Sequence, residues 1–484
     1  MHSDKQNILL LFPDQLRADA LSCNGCRAIS TPHLDRLASE GVNFKTAISP
    51  SPLCVPARAS LLSGRNSLET GVLHNGSWLH PDRQNQGIHS WPELLEQEGY
   101  TTAAIGKMHF YPWDLKEGFS RRIIAEDKRH IHIQDDYQEY LKEKGLRKYH
   151  GTDHAKYLDQ KGACVSLIPK EHQVDTWVAD STVDFILNHI KESPDTPFAV
   201  MSGFPGPHCP YDPPSEYLDQ VDVSKIERPL ASRTPWMVDQ IRQVCLRPWN
   251  KVDYTDATEE DYIRLRQHYL ALVKQIDDAV GKILSCLDEN KLTESTTVLF
   301  TSDHGDFLGD HNLIGKHYYY NQSVHIPLLI RGKGYKAGQE CSSPVSLTDL
   351  YTTILSIAGT GCRNREDSRA LTGEEDEKRI LFGATDIGFY AAWKSWRLSR
   401  YYQGDSHLYN LADDPGEENN RIGDGSCLDI INRMNSALDA WIINSTIRAH
   451  SDKKVSPGTD DPDNAYNRKG WVRPYPFPLD RKNQ

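Results

Sequence analysis

Residues Val298–Gly305 read V-L-F-T-S-D-H-G. Four apolar or β-branched residues are followed at once by a serine, a carboxylate, an imidazole and a glycine. The apolar half has the composition of a strand buried on both faces. The polar half begins where such a strand would stop. Three other stretches repeat the arrangement. Ile8–Phe12 (I-L-L-L-F) runs into Pro13-Asp14-Gln15, Thr102–Ile105 (T-A-A-I) into Gly106-Lys107-Met108-His109, and Phe198–Met201 (F-A-V-M) towards Gly206-Pro207-His208. Polar residues after a single strand are ordinary. Four strands that each deliver Asp, Lys or His past the carboxyl end predict an α/β fold with a ligand site along that edge of the sheet.

Helical patterns lie between these runs. From Tyr262 to Leu287 the apolar positions are 262, 265, 269, 272, 276, 280, 283 and 287, a spacing of three and four that faces one stripe to a core. Val174–Ile190 and Leu347–Ala358 repeat it on a smaller scale. Alternating strands and helices are the signature of an α/β architecture. The nearly all-polar stretch 363–379 reads as a linker or a solvated face. Ile380–Leu411, rich in Tyr, Trp and Phe, reads as a small antiparallel sheet, and the Pro- and Asp-rich tail from Asp452 as a surface wrap. The expected organisation is a catalytic α/β domain over 1–375 and a smaller C-terminal subdomain over 376–484.

Composition narrows the function. The 484 residues carry a formal net charge of −12, which disfavours nucleic acid and anionic membranes as partners. No apolar run is long enough to span a bilayer. Without a basic, apolar leader ahead of Pro13, the expected location is cytoplasmic. The ten cysteines are scattered, with Cys23-x-x-Cys26 the only close pair, and read as thiols in a reducing compartment.

If the chain binds an anion, local charges must receive it. Asp14, Gln15, Asp303 and His304 together make an oxygen-rich site for a divalent cation. Lys107, His109, His208 and Lys316 are the candidates to receive an anionic group. Ser49–Arg65, S-P-S-P-L-C-V-P-A-R-A-S-L-L-S-G-R, adds a nucleophile. Pro56 suits the first turn of a helix. Cys54 then lies at the helix N-terminus, where backbone donors favour negative charge. Arg58, four residues on, projects from the same face.

At this point the sequence resembles a known family. Cys54-Val55-Pro56-Ala57-Arg58 with Leu62-Ser63-Gly64-Arg65 resembles the C-x-P-x-R signature of the type I, formylglycine-dependent sulfatases of the alkaline-phosphatase-like superfamily, with alanine in place of the common serine. Gly106-Lys107-Met108-His109 is similar to their second signature. Thr301–Gly305 with Gly309-Asp310-His311 and Gly315-Lys316 is similar to their second metal loop. His407–Leu411 with Asp414-Pro415-Gly416-Glu417 is similar to a segment near their C-terminus. The resemblance implies an α/β/α sandwich with a large mixed sheet and a small C-terminal antiparallel sheet.

The resemblance also implies a sulfuric ester hydrolase. Cys54 would be oxidised to formylglycine by a maturation enzyme, and its hydrate would attack sulfur and then expel sulfate. Asp14, Gln15, Asp303 and His304, with the modified Cys54, would hold a calcium ion. Arg58 would fix the hydrate and His109 assist its collapse. Lys107 and Lys316 would bind sulfate oxygens, and His208 would lie near the leaving oxygen. His74 and Asn75, just after the signature helix, would contact the substrate, a small or oligosaccharide sulfate ester. Trp78 and Trp113 are candidates to stack on a sugar. Arg121, Arg122, His130 and His132 are candidates for a second anionic group.

Two departures matter. Asp14-Gln15 stands where many sulfatases carry Asp-Asp, and Asp303-His304 where they carry Asp-Asn. The imidazole gives manganese or another transition ion more weight. The same pairings occur in the related phosphonate monoester hydrolases, so a phosphonate or phosphodiester hydrolase on this scaffold is the alternative activity. The pair Lys107-x-His109 is the sulfatase version.

Overall fold

The computed structural model describes residues 5–230 and 251–450, apart from positions 82, 129, 363, 375, 377 and 403. The expected surface-wrapping tail from Asp452 lies outside the described residues, as does Cys245. Eight strands build the main sheet: β1 (Asn7–Asp14), β2 (Val42–Phe44), β3 (Thr101–Gly106), β4 (Arg121–Ile124), β5 (Phe198–Pro207), β6 (Thr296–Thr301), β7 (Leu328–Arg331) and β8 (Gln339–Cys341). Their order is β8-β2-β7-β6-β1-β5-β3-β4.

The five strands from β6 to β4 are mutually parallel, whereas β7 runs antiparallel to both β6 and β2. The sheet is therefore mixed. The four strands that carry the polar ends, β6, β1, β5 and β3, are consecutive neighbours within its parallel part. Residues up to about 290 positions apart in sequence thus arrive at one edge.

Period-two alternation explains the layers. Leu9 and Leu11 of β1 enter one core with Val178, Ile186, Ile276 and Val280. Ile8, Leu10 and Phe12 enter another with Leu61, Leu62, Leu350 and Ile354. The first core is covered by helices α2 (Val174–Glu192) and α3 (Glu259–Glu289), the second by α1 (Cys54–Ser63) and α4 (Asp349–Ile357). A capping box starts α3. The Thr258 hydroxyl accepts from Asp261 N at 3.2 Å, and the Asp261 carboxylate accepts from Thr258 N at 3.0 Å.

Strands β9 (Leu381–Thr385), β10 (Gly388–Trp393), β11 (Trp396–Tyr401) and β12 (Ser406–Asn410) form an antiparallel meander. Its outer face packs on α5 (Leu428–Ala449) through Leu398, Leu408, Met434, Leu438 and Trp441. Its inner face docks on the Ser49–Pro52 stretch: Tyr390 Oη donates to Ser49 O at 2.6 Å and Ala384 N to Pro50 O at 3.0 Å. No helix among the described residues is long and apolar enough to cross a membrane.

The stretch 363–379 is a partly solvated face, exposed at Asn364, Glu366, Thr372, Glu374, Asp376 and Lys378, and not a free linker. Ser368 and Leu371 are buried, and the Ser368 hydroxyl donates to Thr348 O at 2.7 Å. Arg379 makes a two-pronged pair with Asp349 at 2.7 Å on both arms. A polar composition reads as solvent-facing only when its groups lack internal partners. Here the start of α4 supplies them.

Candidate active site

The site grows from the start of α1. Leu53 is extended (φ −146°, ψ 141°) and Cys54 is the first helical residue. No side chain of Leu53 can cap the helix. Instead Asn75 Oδ1 accepts from Val55 N at 3.1 Å. All ten residues of α1 are buried, so the signature helix is an internal element with its N-terminus aimed at the sheet edge. Gly64 ends it at φ +64°, where an added Cβ would lie 2.4 Å from the Tyr351 ring.

Arg58, one turn into α1, is the floor of the site. Nη2 lies 2.9 Å from Asp14 Oδ2, Nε donates to Asp303 Oδ2 at 3.1 Å, and Nη1 donates to Lys107 O at 3.1 Å. Lys107 Nζ bridges Asp14 Oδ2 at 2.9 Å and Asp127 Oδ2 at 2.6 Å. Asp14, Asp303, Arg58 and Lys107 are at most 1% exposed. The glycine before Lys107 is structural: at φ +89° an added Cβ on Gly106 would lie 2.1 Å from Gly203 O, closing the gap between β3 and β5.

Asp14, Cys54, Asp303 and His304 bring candidate ligand atoms within 4.8 Å of one another. His304 Nδ1 lies 2.9 Å from Gly305 O, a hydrogen bond that puts the proton on Nδ1 and leaves the Nε2 lone pair facing Cys54 Sγ at 3.2 Å. Burial and the neighbouring Asp14 push the Asp303 carboxyl up. Asp14 is destabilised by burial and by Cys54, yet Lys107, His208 and Arg58 hold it below the usual carboxylate range. Two buried carboxylates beside one oriented imidazole fit a divalent cation, which would relieve their mutual repulsion.

Lys316 closes the opposite side. Its Nζ lies 3.1 Å from Cys54 Sγ, donates to Gln15 Oε1 at 2.6 Å, and lies 3.0 Å from His208 Nε2. His208 Nδ1 bonds Cys209 O at 2.9 Å, so Nε2 accepts from the lysine. His109 and His208 also face the Cys54 thiol. Burial raises the thiol's pKa, but Lys316, His304 and these two imidazoles bring it well below its ordinary value.

The structure thus gathers Cys54, Arg58, Lys107, His109, His208, Lys316, Asp14, Asp303 and His304 around one point. Gln15 is present, with its amide oxygen turned to Lys316 and its Nε2 donating to Asp306. Asn75 reaches the site through the helix start. His74 is exposed, its Nδ1 accepting from Gly76 N at 2.9 Å.

Other candidates have structural work. Trp78 donates to Glu117 at 2.8 Å and packs on Phe110. Arg122 bonds the carbonyls of Leu115 and Trp113 and lies over Phe110. Arg121 lies on the edge strand β4, its Nη2 3.9 Å from Glu192.

Three acidic residues were missed by sequence reasoning. Glu126 Oε1 accepts from Met108 N and His109 N at 3.3 and 3.2 Å, and Asp127 pairs with Lys107. Both follow β4 and obey the same strand-end rule that located the others. Asp306 accepts from Tyr211 Oη at 2.7 Å and from Gly315 N at 2.9 Å, fixing the loop that carries Lys316.

The Sulfatase family model matches residues 6–360. An arylsulfatase of Clostridium perfringens (strain 13 / Type A) is 27% identical over 450 residues, covering 86% of this chain and 90% of that protein. The structure of the phosphonate monoester hydrolase of Agrobacterium radiobacter superposes with a TM-score of 0.76 at 21% identity, covering 91% and 96% of the two chains. BT4656 in complex with its substrate D-glucosamine-2-N,6-O-disulfate superposes with a TM-score of 0.73 at 20% identity, covering 93% and 100%. Both structures share the fold. With a family-model match over most of its length, and a buried cysteine-led helix set among candidate cation ligands at one sheet edge, the chain belongs to the sulfatase family of hydrolases.

Proposed function

We propose that the chain hydrolyses the sulfate ester of a small sulfated carbohydrate after oxidation of Cys54 to formylglycine by a separate maturation enzyme. The observation that carries this reading is the setting of Cys54 Sγ, with Lys316, His304 and Asp14 within 3.1–3.9 Å at the N-terminus of a buried helix. The substrate class is supported by BT4656, whose substrate is a disulfated glucosamine.

A formylglycine hydrate at this position would supply the attacking hydroxyl, and a divalent cation would supply Lewis-acid polarisation. Asp14, Asp303 and His304, with Gln15 beside them, would hold the cation, calcium first and manganese second. Lys107 and Lys316 bind sulfate oxygens from opposite sides and neutralise charge as it develops. Arg58 holds Asp14 and Asp303 in place. The Lys316–His208 pair, 3.0 Å apart, protonates the leaving oxygen. His109 takes a proton at the Cys54 position.

The Asp14-Gln15 and Asp303-His304 pairs favour a second reading, phosphonate monoester or phosphodiester hydrolysis. Parallel assays of the matured enzyme with 4-nitrophenyl sulfate and bis(4-nitrophenyl) phosphate separate the two. The sulfatase reading requires the higher kcat/KM on the sulfate, and a clear preference for the diester reverses it.

A further inference from the structure

We propose that Asp386, His317 and His74 form the subsite for the alcohol half of the substrate, and that it takes the neutral hydroxyls flanking the ester on a sugar ring. The inference rests on the reading of the Cys54 centre as a sulfate-ester site and names what that site holds beside the sulfate.

Three segments meet there. Asp386 occupies the turn between β9 and β10, and its N–H donates to Leu73 O at 3.1 Å. That bond ties the small sheet to the loop that carries His74 and Asn75, and Asn75 in turn holds the start of α1 beside Cys54. From the third side His317 Nε2 lies 2.7 Å from Asp386 Oδ1. His317 follows Lys316, whose Nζ is 3.1 Å from Cys54 Sγ. His317 has φ +100°, a conformation costly for a residue with a side chain, so the surrounding contacts hold it in place.

The chemistry of this rim differs from that of the floor. Arg58 and Lys107 are buried and cationic, as a sulfate requires. The Asp386 side chain is 42% exposed and His74 is exposed, so both are open to an incoming group. Burial raises the Asp386 carboxyl, but His317 and His74 hold it below the usual range and keep it ionised. An ionised carboxylate accepts from sugar hydroxyls, and an imidazole beside it donates or accepts. The same charge repels a second sulfate or carboxylate next to the ester, which sets specificity by exclusion. On the β3 side the Tyr111 ring is 44% exposed and 5.8 Å from the His109 ring, an apolar face for the C–H side of a pyranose.

The two aryl esters named above decide which acid the centre cleaves, independently of this subsite. Within that acid, kcat/KM is then measured for the 4-nitrophenyl ester and for a glucose 6-O-ester, with wild type, Asp386→Asn and His317→Asn. Asparagine tolerates the left-handed backbone at 317. Loss of hydrogen bonds to a charged group is expected to lower the sugar-to-aryl ratio roughly 10- to 100-fold in Asp386→Asn. His317→Asn should lower it in the same direction by less. A disulfated or uronate sugar ester should be the better accepted, relative to glucose, once the charge at 386 is removed. An unchanged ratio, with both esters losing equally or neither losing, makes the ion pair a purely structural tie and overturns the proposal. The choline ester of the same acid is assayed as a cationic substrate, and a wild-type preference for it over the glucose ester that Asp386→Asn abolishes also overturns the proposal, because the carboxylate would then serve a cation.

Discussion

Val55 N–H is a donor that α1 cannot satisfy internally, and Asn75 Oδ1 accepts from it at 3.1 Å. Asn75 therefore caps the signature helix, and in the role expected from its sequence position it would also offer its amide N–H to a substrate oxygen. The two separate by mutation. Asn75→Ala should cost about 1 kcal/mol of stability and also activity. Asn75→Asp should keep the cap but set a carboxylate beside the anion, lowering kcat/KM with little change in the denaturation midpoint. Lys107 gives a second prediction: Lys107→Ala should lower kcat about 10²–10³-fold by removing one donor to the developing charge. Steady-state kinetics beside urea unfolding checks both. At this scale much was legible, because a strand end followed by Asp, Lys or His is a local pattern. Glu126 and Asp127 follow the same rule but hide behind β4, whose R-R-I-I lacks the apolar signature of a buried strand. Asp386 carries no local signal at all. Its place depends on how the small sheet docks.

Elements add what single residues cannot show. The parallel run β6-β1-β5-β3 is what turns four separate motifs into one site, and period-two alternation on β1 explains why both faces of the sheet are covered. The antiparallel strand β7 and the short strands β2 and β8 were not readable, since three- and four-residue strands carry too few positions to display a period. Glu417 shows how an element junction stores a titratable group. It is fully buried, and one carboxylate oxygen accepts from Asn321 N at 2.6 Å, joining the segment after β12 to the loop beyond Lys316. Burial raises its carboxyl to about 8, against an ordinary value of 4.5. The folded state thus binds more protons than the unfolded state between those values. Stability should fall as pH rises from about 4.5 to 8, with a slope of up to about 1.4 kcal/mol per pH unit. Glu417→Gln keeps an acceptor for Asn321 without the charge and should flatten that slope in urea unfolding taken across this range. An unchanged slope would assign the pH dependence elsewhere.

At the scale of the whole molecule, the proposed cation would offset a buried like-charge pair. Asp14 and Asp303 share Arg58 in a desolvated floor, so a bound cation should stabilise the fold by about 2.7 kcal/mol at a concentration 100 times its Kd. Asp303→Asn relieves the repulsion and removes a ligand. It should remain folded in chelator while losing the calcium-dependent gain, a contrast that differential scanning calorimetry with calcium and with chelator reads directly. The stretch 363–379 belongs to the same scale. Its composition suggested a linker or a solvated face, and only the packed structure reveals that Arg379 and Ser368 complete the start of α4.

Everything said of the chemistry depends on what Cys54 becomes. The decisive measurement is mass spectrometry of the peptide containing Cys54 after coexpression with a formylglycine-generating enzyme. The account predicts a peptide in which sulfur and two hydrogens are replaced by one oxygen, in proportion to sulfatase activity. A protein that hydrolyses sulfate esters while this peptide carries only the unmodified thiol would contradict it.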